Sequence, residues 1–343
     1  IIGVITVFYT FFGGMTAVVW NDFIQLIIYI GGALLAFWVI LTRIPGGWSE
    51  VASVAGPVGK FTLLNLSWDL ADPYTLLGGI IGGAFITFSS HGSDKLMVQR
   101  YLACGNQRKS QIAQIVSGVI VILQFLLFLV IGVMLYAFYQ HFPLEHELDQ
   151  INRIFPIFIV DEMPAGVSGL IIAAIFAAAM STLSGSLNSL SSSFMNDYYR
   201  SFIRRNATDA HYLKASRIST LSWGVILILV SLLARNWGEE VLQTALTITS
   251  FTMGSVLGVF LLGLLLKNCN QNIGLFAMLT GLGVMVLVVL TPDIAWTWYV
   301  LIGSSITLIS GLCVWKFLVL WKIWIKGWFR KLLHFINRII TKN

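Results

Sequence analysis

Long apolar runs alternate with short polar loops along the whole chain. About 20 apolar residues are what a helix needs to cross the hydrocarbon core of a bilayer. We therefore predict about nine membrane spans, the first of them only the end of a helix. They cover residues 1–13, 20–41, 75–93, 111–139, 173–199, 213–235, 240–267, 272–291 and 296–318. Because the chain opens with Ile1, inside an apolar run, we expect it to be a piece of a longer protein.

The span at 173–199 has two unlike faces when it is drawn at 3.6 residues per turn. One stripe contains only small or polar residues, namely Ala174, Ala178, Ser181, Gly185, Asn188 and Ser192. Another contains only large apolar residues, namely Phe176, Met180, Leu183, Leu187, Leu190 and Phe194. The small stripe is suited to close approach by another backbone or by a small hard ion.

Four glycines mark a second unusual span, residues 75–93. They form two overlapping pairs with a spacing of four residues, Gly78 with Gly82 and Gly79 with Gly83. This spacing is typical of a close-packing helix face. It also suits a helix that breaks around a ligand, and the sequence leaves both interpretations open.

Composition excludes an ordinary soluble protein. Hydrophobic residues make up 57% of the chain and charged residues 10%, whereas soluble domains carry about 25% charged residues. The net charge of +6 comes from loops and the C-terminal tail, so it indicates membrane topology and no nucleic-acid partner. We predict an all-α multi-pass membrane protein that contacts the lipid bilayer.

The positive-inside rule gives this protein an orientation. Basic residues place the loops at 94–110, 200–214 and 267–272 in the cytoplasm, together with the C-terminus. The loops at 42–74, 140–166, 235–240 and 292–296 then lie outside. The expected location is the plasma membrane, or the inner membrane of a bacterium.

The tail differs from the transmembrane domain, residues 1–318. Residues 319–343 contain six Lys or Arg and no acidic residue, with large apolar residues at helical spacing. We predict a cytoplasmic basic amphipathic helix on the inner leaflet, with recognition of a partner as the alternative. No protein partner can be inferred.

Candidate chemistry is sparse, and no enzyme motif is present. Asp22 is the exceptional acid inside a span; it either caps the helix start or serves an ion. Ser181 and Thr182 are adjacent hydroxyls, and the Ala178 carbonyl faces the same point if the helix loosens. Hard cations prefer such oxygen ligands. Hydrogen bonds within or between helices are the alternative use of these hydroxyls.

Four ordered segments carry a family resemblance. AAAMSTLSGSLNSLSSSFMNDYY resembles the eighth core helix of the sodium:solute symporter family, relatives of the sodium/glucose cotransporters. GGMTAVVWNDFIQ resembles the junction of its fourth and fifth helices, GSDKLMVQRYLAC the end of its sixth, and SFTMGSVLGVFLLGLL its tenth. The resemblance implies a LeuT-like inverted-repeat fold, here incomplete, with core helices four to ten, two further helices, and the first core helices missing.

The resemblance also implies a sodium site. Its ligands would be the Ala178 carbonyl and the Ser181 and Thr182 hydroxyls, with further carbonyls from the first core helix. Asp22 matches the acidic residue near that site. Ser184 matches a ligand of the second sodium that some members bind, although Gly185 stands where a serine is expected.

The solute pocket departs from that of the sugar transporters. Ser90 and His91 replace a tyrosine and a tryptophan, and Leu246 replaces a glutamine, with Gln243 one turn away. These differences count against glucose and galactose. Thr87, Ser90, His91 and Gln243 are the candidate solute residues, and packing is the alternative role for each.

The predicted function is sodium-coupled symport of a small polar organic solute or anion by alternating access, with Na+ as the coupling ion. The alternatives are a transporter-like sensor domain, a channel, and a fragment that transports nothing by itself. We expect neither a sensor nor a channel, because the spans lead into a basic helix and no span shows a charge ring.

Overall fold

The computed structural model describes residues 6, 15–102, 104–144, 151–233, 241–266, 269–291 and 293–340. Every regular element in these ranges is helical. The α-helices are α1 Met15–Arg43, α2 Trp48–Ala55, α3 Gly83–Gly92, α4 Lys95–Leu102, α5 Gln107–His141, α6 Ile154–Asp161, α7 Ala165–Ser193, α8 Asp209–Leu233, α9 Val241–Leu265, α10 Gln271–Val289 and α11 Tyr299–Ile340. Segments of π-helix, Gly78–Gly82 and Phe194–Ile203, adjoin α3 and α7, and 3₁₀ turns, Ile151–Arg153 and Trp296–Trp298, precede α6 and α11.

Seven helices in the described ranges are long and apolar enough to cross a membrane. They are Asp22–Arg43, Gln107–His141, Ala165–Ile203, Asp209–Leu233, Leu242–Leu265, Gln271–Val289 and Trp296–Trp321, and each matches a predicted span. The predicted count of nine differs because two spans have no counterpart of that length. The span at 1–13 lies outside the described residues, except for Thr6.

The span predicted at 75–93 does not form one continuous α-helix. Its helical part covers residues 76–92, in which the π-helical segment Gly78–Gly82 interrupts the α-helix before α3. This part extends roughly 25 Å, which is less than the hydrocarbon core of about 30 Å.

Apolar side chains cover the outside of the long helices. On α5, Ile115, Ile122 and Leu129 recur every seven residues and are 69%, 68% and 63% exposed. A stripe of this kind would be unfavourable in water, so this face of α5 is a surface for lipid.

The contacts divide the chain into two compact units. Unit 1 comprises Ile1–Leu63 and Gln99–Val241, and unit 2 comprises Leu64–Val98 and Leu242–Asn343. The apolar core of unit 1 is built by α1, α2, α5, α6 and α7. At its centre, the rings of Phe138 and Phe158 meet edge to face with centroids 5.4 Å apart.

Small residues let the helices of unit 2 approach closely. A Cβ at Gly258 would lie 2.5 Å from the Thr307 Cβ, and one at Gly311 would lie 2.5 Å from the Leu262 Cδ2. Close approach through glycine is a common way for helices to pack in membranes.

The four-glycine segment is used for packing, while a ligand at its interruption stays a prediction. The segment is π-helical over Gly78–Gly82, so the regular helix is interrupted. Gly82 also packs against the backbone of Thr297, where a Cβ would collide with the Thr297 carbonyl. A Cβ at Gly79 or Gly83 would meet no atom of another described segment within 4 Å, so only one face is used for packing.

Helix α11 does not end at the predicted boundary after residue 318. It runs without interruption from Tyr299 to Ile340. Side chains at 322–324 and 326–340 lie outside the described residues, as do residues 341–343. The amphipathic face of the tail therefore stays a prediction.

Candidate functional site

Asp22 on α1 and Ser181 on α7 contact each other directly, since Ser181 Oγ donates a hydrogen bond to Asp22 Oδ1. Ten residues after Asp22, Gly32 packs against Ile171, which lies ten residues before Ser181. The two helices therefore run antiparallel and stay in contact over about 15 Å. Two of the five residues predicted for the sodium site come together at this contact.

The hydroxyl side of this contact is buried. Ser181 is 2% exposed, and Ser184, one turn later on the same face of α7, is 3% exposed. The Asp22 side chain is 35% exposed. The site therefore offers one partly shielded carboxylate beside buried hydroxyls, and these are oxygen donors of the kind that hard cations prefer.

Thr182 and Ala178 are placed differently. Thr182 is exposed, and its carbonyl accepts a hydrogen bond of 3.0 Å from Ser186 Oγ. Ala178 is half-buried within a regular stretch of α7, which changes to π-helix only from Phe194 onward. The loosening that would free the Ala178 carbonyl is absent from α7 as the structure describes it.

Arg100 is a residue that the sequence did not assign to the site. Its Nη2 donates to Asp22 Oδ2 over 3.2 Å, so the two carboxylate oxygens have different partners. Sequence reasoning used Arg100 only as a positive charge of a cytoplasmic loop. One sequence feature could have pointed to Arg100 as a site residue, namely its position inside GSDKLMVQRYLAC, a segment that resembles a family motif.

Three of the four candidate solute residues form a local network on α3. Ser90 Oγ lies 2.8 Å from His91 Nδ1, and both atoms lie within 3.2 Å of the Thr87 carbonyl. The hydrogen bonds fix the imidazole close to the helix, whichever ring nitrogen carries the proton. The Thr87 side chain itself is exposed.

Gln243 is not joined to this network by any described hydrogen bond. The contact of α3 with α9 is made instead by Ser89, whose Oγ donates to the Met253 carbonyl over 2.9 Å. Met253 lies ten residues beyond Gln243, which is about 15 Å along α9. Ser89 is fully buried, and the sequence did not single it out.

Comparison with known proteins gives the same family as the motifs. A profile of the sodium:solute symporter family matches residues 1–281. The sodium/sialic acid symporter NanT of Aliivibrio fischeri is 31% identical over 91% of this chain and 62% of its own length. The sodium/iodide cotransporter of Homo sapiens is 29% identical over 82% of this chain and 43% of its own length.

A solved structure of a Na+-coupled sialic acid symporter, in a substrate-bound outward-open state, resembles this fold. Its TM-score is 0.76 at 29% identity, over 90% of this chain and 64% of that chain. The likeness confirms the predicted fold class, an all-α multi-pass membrane protein with the LeuT-like fold. The chain spans less than two thirds of the length of these relatives.

Proposed function

Because this chain belongs to the sodium:solute symporter family, a family of transporters, we propose that the protein moves a small solute across a membrane together with Na+. The observation that carries the proposal is the hydrogen bond between Ser181 and Asp22. It joins two helices through a hydroxyl and a carboxylate at the position where the family resemblance implies sodium. Sodium-coupled relatives such as the sialic acid and iodide transporters support the choice of ion.

Sodium is held, in this proposal, on the face of α7 that carries Ser181. Ser181, Thr182 and the Ala178 carbonyl serve one ion, and Asp22 with Ser184 supports that ion or a second one beside it. Use of the Ala178 carbonyl requires α7 to loosen by a fraction of a turn. A helix that changes locally when the ion binds or leaves is suited to alternating access.

The proposed solute is a small polar organic molecule or anion. Sialic acid and iodide, which the names of two relatives specify, are both anionic at neutral pH. The hydroxyl and imidazole of Ser90 and His91 supply polar groups in place of the larger phenol and indole rings of the sugar transporters. A panel of labelled sialic acid, iodide, monocarboxylates and glucose would identify the class, with no sodium-dependent uptake of glucose expected.

The available energy is sufficient for accumulation. One positive charge that crosses 100 mV contributes about 2.3 kcal/mol, and a tenfold sodium gradient contributes about 1.4 kcal/mol. One sodium ion per cycle therefore supports roughly 500-fold accumulation of a neutral solute.

The proposed membrane is the plasma membrane, with the C-terminus in the cytoplasm. Support comes from basic residues at the helix starts: Arg108 and Lys109 lie in the first turn of α5, and Arg204 and Arg205 precede α8. A cysteine introduced at Arg108 should react with an impermeant maleimide only from the cytoplasmic side.

Ser181→Ala tests the sodium site. In the full-length protein reconstituted into vesicles, the sodium concentration for half-maximal uptake should rise about tenfold or more, because one contact to a charged group is lost. Ser186→Ala is the matched control, since its hydroxyl is bonded to its own helix backbone at Thr182. Equal sodium dependence of Ser181→Ala and wild type would contradict the assignment.

A further inference from the structure

The Asp22 carboxylate is shared between a hydroxyl and a guanidinium. Ser181 Oγ donates to one oxygen, and Arg100 Nη2 donates to the other over 3.2 Å. The side chains of Arg100 and Asp22 are 29% and 35% exposed. Because solvent reaches only part of this pair, salt screens it less than it screens a fully exposed pair.

Arg100 lies on α4, and hydrogen bonds fix α4 at both ends. At its start, the Asp94 carboxylate accepts from the Leu96 amide over 2.9 Å. At its end, Ser110 Oγ, in the first turn of α5, donates to the Tyr101 carbonyl over 2.8 Å. The helix that carries Arg100 is therefore capped at its start and bonded at its end to the first turn of α5.

Tyr101, the next residue in the chain, does not add a second negative charge beside the Arg100 guanidinium. Burial raises the pKa of Tyr101, although the positive charge of Arg100 acts in the opposite direction. The phenol therefore stays neutral at physiological pH. Asp22 is the carboxylate with which the described structure pairs Arg100.

We infer that Arg100 is a tethered cation that competes with Na+ for the Asp22 carboxylate. This inference rests on the proposed function and adds a positioning residue to it. Both cations are stabilised by the same negative charge on Asp22. Arg100 Nη2 lies 3.2 Å from Asp22 Oδ2, so the guanidinium also repels a sodium ion at that carboxylate. Sodium binding weakens the hold of Asp22 on Arg100, and sodium release restores it.

The chain connection gives this competition a consequence for transport. Arg100 is nine residues from His91, and only Ser93 and Asp94 separate α3 from α4. A change in the pairing of Arg100 therefore acts on the short helix that directly follows the candidate solute residues. Linkage makes this coupling reciprocal. If sodium binding shifts the equilibrium position of α4, a change in that position alters sodium affinity by the same free energy.

Arg100→Gln in the full-length protein tests the competition. We expect the sodium concentration for half-maximal stabilisation against heat to fall roughly fivefold, the ratio that corresponds to about 1 kcal/mol for a partly exposed ion pair. Sodium is titrated at constant ionic strength with choline as the replacement cation. Arg100→Lys, which keeps the charge, should stay close to wild type.

The direction of the shift separates competition from simple support. If Arg100 only holds Asp22 in place, Arg100→Gln will need more sodium, and that result, like no shift, overturns the inference. Arg108→Gln is the matched control, because Arg108 is exposed and its replacement removes the same charge. In an Asp22→Asn background the effect of Arg100→Gln should vanish. A wild type that does not respond to sodium overturns the proposed function itself.

A measurement on the wild type covers the case in which Arg100→Gln does not fold. Phenylglyoxal modifies accessible arginines, and mass spectrometry reports the rate at each residue. Sodium should accelerate the modification of Arg100 severalfold and leave Arg108 unchanged. An Arg100 rate that is equal or lower with sodium than with choline overturns the inference.

Discussion

Two of the described helix contacts that bury hydroxyl groups differ in one respect: the contact of α1 with α7 in unit 1 joins a hydroxyl to a charge, and the contact of α9 with α11 in unit 2 does not. Between α1 and α7, the buried Ser181 donates to Asp22, which also pairs with Arg100. In unit 2, Ser255 on α9 and Thr307 on α11 are both 0% exposed. Neither hydroxyl has a hydrogen-bond partner among the described residues.

Glycine explains how the second contact is built. A Cβ at Gly281 on α10 would lie 2.9 Å from Ser255 Oγ and would collide with Thr307 Oγ1. The two hydroxyls therefore act as small groups that let three helices approach each other. The two contacts therefore differ in their chemistry and not in their burial, because only the hydroxyl of Ser181 is bonded to a carboxylate.

Asp22→Asn should have the largest effect on the first contact. Loss of the charge removes the strongest oxygen donor. The sodium concentration for half-maximal uptake should therefore rise about 100-fold, which corresponds to about 2.7 kcal/mol of binding free energy. Asp209→Asn, at the exposed start of α8, is the control for the same change in charge. If both variants behave like wild type, the first contact resembles the second and is packing alone.

Gly281→Ala should damage the second contact through sterics. The new Cβ occupies the space of Thr307 Oγ1, and overpacking of this kind costs about 2 kcal/mol of unfolding free energy. The melting temperature of the purified protein is the measurement. Gly283→Ala is the matched control, since no described atom outside its own helix lies within 4 Å of its Cβ position. Equal melting temperatures for the two variants would contradict the packing account.

Thr307→Val should have the smallest effect. It replaces an unpaired buried hydroxyl by a methyl group of similar shape, so stability should stay within about 0.5 kcal/mol of wild type or rise. Sodium-dependent uptake should not change. A marked loss of sodium affinity would show that the second contact also serves an ion.

The pattern of small and polar residues predicted α7 well, because a helix periodicity is local information. The predicted span at 173–199 lies within Ala165–Ile203, the helix that carries Ser181 and Ser184 on one buried face. The partner of that face came from the family resemblance and not from periodicity, because Asp22 lies 159 residues away in the chain.

Contacts between distant segments could not be predicted from spacing. Arg100 looked like an ordinary topology-setting charge, and its ion pair depends on how α4 meets α1 in space. Likewise, the glycines at 78–83 allowed packing or interruption, and only the position of Thr297 shows that Gly82 is used for packing. Burial by itself does not separate the hydroxyls of Ser255 and Thr307 from those of Ser181 and Ser184, since all four are buried.

Sodium binding to single and double variants at Asp22 and Ser181 tests the central claim most directly. Equilibrium binding of ²²Na+ to the purified full-length protein would be compared in wild type, Asp22→Asn, Ser181→Ala and the double variant. If both residues hold the same ion, the double variant should lose less binding free energy than the sum of the two single losses, because the two effects are coupled. Effects that add in full, or binding that neither substitution changes, would contradict a shared sodium site at the contact of α1 with α7.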